Sequence, residues 1–249
     1  MSTWLEGNVL GQTRWTDRLL SLKVAAPELP FEAGQFARLA LDVEGERIAR
    51  PYSFVNPPGA SHYEFYYAIV PGGPLSPRLA ALTAGDTVFV GPRPAGFLVL
   101  SEVLDAQTLW LLATGTGVGP FLSILRTPTP WARYRQVVLV QAVRHAEELV
   151  YGDIAAQVAE AHPSQFQYIR VTSAKPPQPS PVLHGRIPAL IEDGSLEALA
   201  GTDLTAATSQ VMLCGNPDMV RDATLALAAR GMKKHRRRNP GHITAENYW

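Results

Sequence analysis

A single cysteine, Cys214, is all the thiol in this 249-residue chain. One thiol excludes an internal disulfide framework, and with it any cysteine-ligated zinc or iron–sulfur cluster held within one chain. Long apolar runs are also missing. The strongest, Leu109–Ala113, falls far short of the ~18 residues that a spanning helix needs, so no membrane association is expected. The opening MSTWLEGNVL has no basic start followed by an apolar stretch, so no signal peptide is expected and the chain reads as soluble and cytoplasmic. The six histidines are scattered without metal-ligand spacing, and no metal is expected. Paired carboxylates and a Ser/His arrangement are lacking too. Net charge is formally zero, with 22 basic and 22 acidic residues. With 46% hydrophobic and 18% charged residues, disorder and simple coiled coil are excluded as well.

The zero balance is uneven. The last 21 residues, Ala229–Trp249, hold six Lys/Arg and one Glu, which leaves 16 basic against 21 acidic residues elsewhere. That is a local basic feature on a mildly acidic body, not a nucleic-acid-binding surface. Twenty glycines and 21 prolines are spread without a period and mark many turns.

Periodicity divides the chain. Over the first hundred residues it is strand-like: Leu19–Val24 and Gln35–Leu41 approach alternation, and Tyr63–Val70 is rich in aromatic and β-branched residues. Turn signals at Glu44-Gly45, Pro57-Pro58-Gly59 and Pro71–Pro74 separate them. Only Ser76–Leu82 reads as a helix, with Ser76 as N-cap and Pro77 at the first helical position. Short strands at this spacing predict an antiparallel β-barrel or sandwich. Beyond residue 100, apolar strands at Leu109–Ala113, Gln136–Val143, Phe166–Val171 and Gln210–Cys214 alternate with helices at Pro120–Arg126, Glu147–Ala161 and Pro217–Arg230. This predicts a parallel sheet covered on both faces, an α/β nucleotide-binding domain. Two domains are expected, 1–100 and 101–249, joined near Gly96–Asp105. The Pro-rich stretch Lys175–Pro181 reads as a surface loop.

Four motifs carry chemistry. Thr114-Gly115-Thr116-Gly117-Val118-Gly119-Pro120 follows a strand and opens a helix, where free amides and the helix dipole favour a diphosphate. Val143-Arg144-His145 puts a cation where an NAD site places an acid, which favours the 2′-phosphate of NADP, with Lys175 and Arg186 able to share it. Arg50-Pro51-Tyr52-Ser53 sets a cation, a planar ring and a hydroxyl on one strand, a combination that suits a flavin. Cys214-Gly215-Asn216-Pro217 ends the last apolar strand, with a small polarizable residue where a nicotinamide must come close.

In this order, together with Leu75-Ser76-Pro77-Arg78-Leu79, Gly96-Phe97, Gly185-Arg186-Ile187-Pro188 and the terminus Glu246-Asn247-Tyr248-Trp249, the motifs make the chain resemble the bacterial ferredoxin/flavodoxin–NADP⁺ reductases over its full length. The resemblance implies FAD on the barrel, NADP(H) on the α/β domain, and ferredoxin or flavodoxin as partner. Hydride enters from NADPH and single electrons leave. It implies that Arg50, Pro51, Tyr52, Ser53, Tyr67, Ile69, Val70, Leu75, Ser76, Thr116, Tyr248 and Trp249 hold FAD. Gly115, Gly117, Arg144, Ser173, Lys175, Arg186 and Asn216 fall to NADP, and Tyr52, Ser53, Cys214 and Tyr248 flank the reacting rings. Lys175 follows Ser173-Ala174 where relatives show Ser-Arg, and brings a cation without a guanidinium's fork.

A reductase of free flavin or another small acceptor remains the alternative enzyme, and a non-catalytic dinucleotide sensor the alternative outside enzymes. The run Lys233-Lys234-His235-Arg236-Arg237-Arg238 is expected to steer an acidic electron carrier, with Arg126, Arg133 and Arg135 next in line. His235 and His242 are expected at the surface, and the protein is expected to be a monomer.

Overall fold

The computed structural model describes residues 3–175 and 182–247. Tyr248, Trp249 and most of the Pro-rich loop therefore lie outside the described residues. Two six-stranded sheets of opposite kind follow one another along the chain.

The first is built from β1 (Leu5–Arg14), β2 (Leu19–Ala25), β3 (Phe36–Val43), β4 (Glu46–Ser53), β5 (Tyr63–Ala68) and β6 (Thr87–Val90), with a one-turn helix α1 (Ser76–Leu79) before β6. The order is β4-β3-β6-β1-β2-β5, antiparallel throughout. A bridge between Phe54 and Phe65 joins the two ends into a barrel. Leu22, Val24, Leu39, Phe65, Val88 and Val90 fill its core with no exposed surface. Glu44 and Gly45 link β3 to β4 with φ of 51° and 83°, the positive-φ pair that matches strand twist in a two-residue hairpin. Pro51 sits on β4, at the end of the strand order, where a missing N–H is tolerated. β1 escaped the periodicity because glycine holds one of its buried positions: a Cβ on Gly7 would lie 2.6 Å from Val24. Ser76 is not the N-cap of α1. Leu75 is, and the Ser76 hydroxyl turns back to accept the Val70 N–H at 2.9 Å.

The second sheet contains β7 (Thr108–Thr114), β8 (Gln136–Val143), β9 (Phe166–Thr172), β10 (Leu183–His184), β11 (Ser209–Gly215) and β12 (Ile243–Asn247). Its order is β10-β9-β8-β7-β11-β12, parallel throughout. Around it lie α2 (Gly119–Leu125), α3 (Thr129–Arg133), α4 (Gly152–Ala161), α5 (Ile187–Glu192), α6 (Ser195–Ala200) and α7 (Pro217–Ala229). β7 is apolar at every central position because both its faces are covered. Leu109, Leu111 and Ala113 pack toward Phe121 and Ala155, while Trp110 and Leu112 pack toward Leu190 and Ala223. The expected barrel and parallel sheet are both present, the long elements within a few residues of their expected ends. β12 gave no signal, since Ile243-Thr244-Ala245-Glu246-Asn247 is a half-polar edge strand, and α3, α5 and α6 are too short to show a period.

The two units share one apolar cluster, in which Leu19, Val55, Tyr66 and Leu98 meet Val118, Phe121 and Tyr151. Polar ties cross the same seam: Ser123 donates to the Asn56 carbonyl at 2.7 Å, and the Glu32 carboxylate accepts the Ser101 amide and hydroxyl at 3.1 and 2.8 Å.

Candidate functional site

The strand order reverses between β7 and β11, and open α/β sheets bind ligands at such a switch, outside the carboxyl ends of the strands. A cleft of about 530 Å³ lies there. Its walls include Thr114–Thr116 at the end of β7, Arg144 and Glu148 after β8, Ser173 after β9, Arg186 before α5, and Gly215 and Asn216 at the end of β11. Leu19 and Ala68 of the barrel complete it, so the cleft is walled by both domains.

The glycines here have different tasks. Gly115, with φ of 55°, has open space where a Cβ would project, as a backbone approached by a ligand requires. Gly117 does not: it is buried, and a Cβ there would lie 2.5 Å from the Cys214 carbonyl oxygen. It packs the turn against β11. The run after β7 is also not a direct helix start, because Gly115–Val118 forms a 3₁₀ turn before α2 begins at Gly119. The Thr114 hydroxyl accepts the Asn216 N–H at 2.9 Å, tying the two strand ends together across the switch. Asn216 caps α7, accepting from the amides of Asp218 and Met219 at 2.8 and 3.3 Å.

Of the expected phosphate cations, Arg144 and Arg186 line the cleft, whereas Lys175 does not. Glu148 shapes the Arg144 turn, its Oε2 accepting the N–H groups of Arg144 and His145 at 2.9 and 3.0 Å. Cys214 is fully buried in the cluster with Phe121 and Ala113 and lines no part of the cleft.

On the barrel, alternation along β4 puts Arg50 and Tyr52 on one face and Ser53, which is buried, on the other. Arg50 reaches only its neighbour's carbonyl, Ala49, at 2.8 Å and joins no ion pair among the described residues. Tyr52 stands edge-on to Tyr67, with centroids 5.9 Å apart. Burial pushes its phenol up to about 12, against the pull of Arg50. Tyr67 is turned into the barrel, its hydroxyl donating to Gln12 at 2.7 Å. Leu75 is buried in the same cluster, Ser76 is buried, Ile69 is partly buried, and Val70 is exposed.

β3, the neighbour of β4, lies close to β12 at Gly96. Ser53 pairs with Phe36, Phe36 bridges to Ala95, and a Cβ on Gly96 would lie 3.2 Å from both Phe36 and Glu246 Oε1. Glu246 is the residue that sequence reasoning left without a role. Its register partner is Cys214, which sets it at the cleft end of the sheet. Burial raises its carboxyl to about 7, and its buried Oε2 has no hydrogen-bond partner. A lone acid in the otherwise uncharged Ile243–Asn247 was the available signal. The unpartnered Glu246 oxygen, the unpaired Arg50 and the exposed Phe97 together fit a planar, polar-edged ligand carrying a diphosphate. The open backbone at Gly115 with two arginines across the cleft fits a phosphorylated dinucleotide.

Because Glu246 holds its proton to about pH 7 when folded and releases it near 4.5 when unfolded, its contribution to stability is full below pH 4.5 and lost as pH rises through 7. The flavin-free chain should lose about 2–3 kcal/mol over that window. Glu246→Gln should flatten the dependence in urea titrations; an unchanged slope would contradict the burial.

His235 is not at the surface. Its side chain is 11% exposed and lies 3.8 Å from Glu102. Arg236 and Asn239 close a tight hairpin, and Arg237 pairs with Glu102 at 2.7 Å while covering Phe97 at 4.3 Å. Arg133 is likewise engaged, with Asp105 and the carbonyls of Leu100 and Val103.

Against known proteins, residues 15–95 match the oxidoreductase FAD-binding domain family and residues 111–224 the oxidoreductase NAD-binding domain family. The chain is 50% identical over 250 residues to the flavodoxin/ferredoxin–NADP reductase of Shigella flexneri, and 49% identical to that of Escherichia coli K12, covering all of both chains in each case. A Neisseria gonorrhoeae ferredoxin NADP⁺ reductase, solved with bound FAD and NADP, superposes with a TM-score of 0.94 at 33% identity over the whole of both chains. No helix among the described residues is long and apolar enough to cross a membrane.

Proposed function

The chain belongs to the flavodoxin/ferredoxin–NADP reductase family, and we propose that its two-walled cleft is where NADPH meets FAD on the way to ferredoxin or flavodoxin. The flavin, when bound, supplies the conversion of a two-electron hydride into single electrons. The chain supplies position and charge. We assign residues 1–100 to FAD and 101–249 to NADP(H). Arg50 neutralises the FAD diphosphate, Tyr52 lies along the ring system, and Ser76, whose oxygen accepts from Val70, keeps its own O–H to donate. Ser53 and Glu246 meet the polar edge of the ring, Glu246 Oε2 holding a proton up to about pH 7. Thr116 and Gly115 face the nicotinamide side, Ser173 and Asn216 line the groove, and Arg144 and Arg186 grip the 2′-phosphate. Tyr248 and Trp249 remain assigned to the FAD rings, and Lys175 to a supporting cation.

The observation that carries this reading is the cleft itself, lined by strand ends of the parallel sheet and by Leu19 and Ala68 of the barrel. The test is the flavin released on heating the purified protein, where one FAD per chain is expected. FMN in its place, or a chain that binds flavin only as a saturable substrate, contradicts it.

For the carrier, the hairpin is the docking surface we propose, with Arg236 and Arg238 as its steering charges and Arg237 holding it to Glu102. Charge complementarity speeds encounter more than it tightens binding. Replacing Arg236 and Arg238 by Ser should lower the second-order rate with the carrier several-fold and flatten its ionic-strength dependence, leaving reduction by NADPH unchanged. If the carrier reaction keeps its salt dependence, steering lies elsewhere, with Arg126 and Arg135 next.

A further inference from the structure

One side chain of the nucleotide domain is seated against the outer face of the barrel. Tyr151 stands at the N-terminus of α4 with φ of 63°, a left-handed conformation that a bulky residue adopts only when its surroundings enforce it. Its ring lies between Trp15, at 5.2 Å, and Tyr66, edge-on at 5.3 Å. Its hydroxyl is hydrogen-bonded to Ser21 of β2 and donates to Glu64 of β5 at 3.0 Å, while Trp15 Nε1 donates to Ser21 at 2.6 Å. Ser21, Glu64, Tyr66 and Tyr151 are all buried.

The socket has a fixed place relative to the cleft. In the β2–β5 pairing, Ser21 is opposite Tyr66 and Leu19 opposite Ala68. Leu19 and Ala68 line the cleft. Two residues along a strand span about 7 Å and return to the same face. The hydroxyl therefore meets the barrel's outer face, the side turned away from the core residues Leu20, Leu22 and Phe65, next along that face to the pair that lines the cleft. On the other side, Tyr151 ends the segment that begins at Arg144 and is gripped at its start by Glu148. One short segment therefore joins the proposed phosphate-binding arginine to the barrel.

We propose that Tyr151 is a positioning residue for hydride transfer: its hydroxyl, seated between Ser21 and Glu64, sets the separation of the nucleotide cleft from the flavin face. The inference rests on the cleft being the meeting place of NADPH and FAD. Removing the hydroxyl frees the domains to shift while every group that touches either nucleotide stays in place. Small displacements at a reacting pair are expensive, up to about 100-fold in rate for 1 Å.

The test uses the FAD-loaded protein with Tyr151→Phe. Flavin reduction at saturating NADPH should slow by about ten-fold, and the long-wavelength absorbance of stacked nicotinamide and flavin should weaken. The NADP⁺ dissociation constant should stay within about two-fold, because uniform binding is untouched. Tyr151→Phe leaves the Glu64 carboxylate without its donor, so the double variant Tyr151→Phe with Glu64→Gln separates stability from position. It should regain thermal stability while the rate stays low. Unchanged rate and absorbance in the single variant, or a rate that recovers with stability in the double variant, overturns the proposal. If wild-type flavin is not reduced by NADPH at all, the functional reading falls; if it is reduced normally and the variants match it, only the role of Tyr151 falls.

Discussion

Replacing Arg144 by alanine is expected to cut the preference for NADPH over NADH by between ten-fold and about a hundred-fold. The two nucleotides differ only in the 2′-phosphate, so the preference is the free energy of holding that group. A charge-assisted contact to phosphate contributes about 1.5–3 kcal/mol, and 1.4 kcal/mol is a factor of ten. Arg144 and Arg186 both line the cleft, and Arg186 keeps part of the grip. The neighbouring Glu148 makes the loss larger, since its carboxylate stays anchored on the turn by the backbone amides of residues 144 and 145. Once the guanidinium is gone, a negative charge faces the phosphate unshielded. The loss should fall on KM for NADPH, with kcat nearly unchanged, because the contact is present equally before and during transfer. Removing Arg186 as well should bring the two nucleotides close to parity. Wild-type protein that uses NADH and NADPH with equal kcat/KM would refute the assignment.

Substituting alanine for Gly117 should do severe structural damage next to the cleft. The new Cβ would sit 2.5 Å from the Cys214 carbonyl oxygen, 2.7 Å from its carbon and 2.8 Å from Gly215 Cα. All three are backbone atoms at the end of a central strand and cannot rotate aside. Relief requires the 3₁₀ turn to move off β11, and overpacking of this kind costs about 1–3 kcal/mol. In a chain of this size that is roughly 2–12 °C in Tm. The shift also widens the switch point that Thr114 closes on Asn216, so flavin reduction by NADPH should fall with stability. Gly115→Ala is the control. Its methyl meets nothing, so the cost is the positive φ alone, about 1 kcal/mol. There, nucleotide affinity should change more than Tm. Equal losses of Tm in the two variants would contradict the distinction between an open glycine and a packed one.

The same two glycines show what the sequence could and could not disclose. Both belong to one run after an apolar strand, and the run announces a diphosphate turn. Which amide faces a ligand depends on the approach of β11, about a hundred residues later, and no local pattern encodes it. Cys214 is similar: its position at a strand end was legible, but the face on which its side chain falls is set by β7 and α2. The apolar strands β7, β8, β9 and β11 were plain because burial on both faces erases alternation. Edge strand β12 was not, because half its residues are polar. Consequently Glu246 was visible only as part of a terminus, and its placement against Gly96 and Phe36 came from the fold. Tyr151 was silent too, since an aromatic before a helix reads as core until its hydroxyl is found in the other domain. The basic run was legible as charge, yet the hold of Arg237 on Glu102 divides it between a docking surface and a seam.

The central claim, that the cleft passes electrons from NADPH through FAD to a protein carrier, is tested most directly by double-mixing stopped flow. The FAD-loaded protein is first reduced with NADPH, then mixed with purified ferredoxin or flavodoxin. The flavin should bleach in the first mix, and much more slowly with NADH. It should recover its colour in the second mix at a rate that rises with carrier concentration and falls with added salt. Rapid bleaching followed by reoxidation that is indifferent to either carrier, but saturates with free flavin, would contradict it.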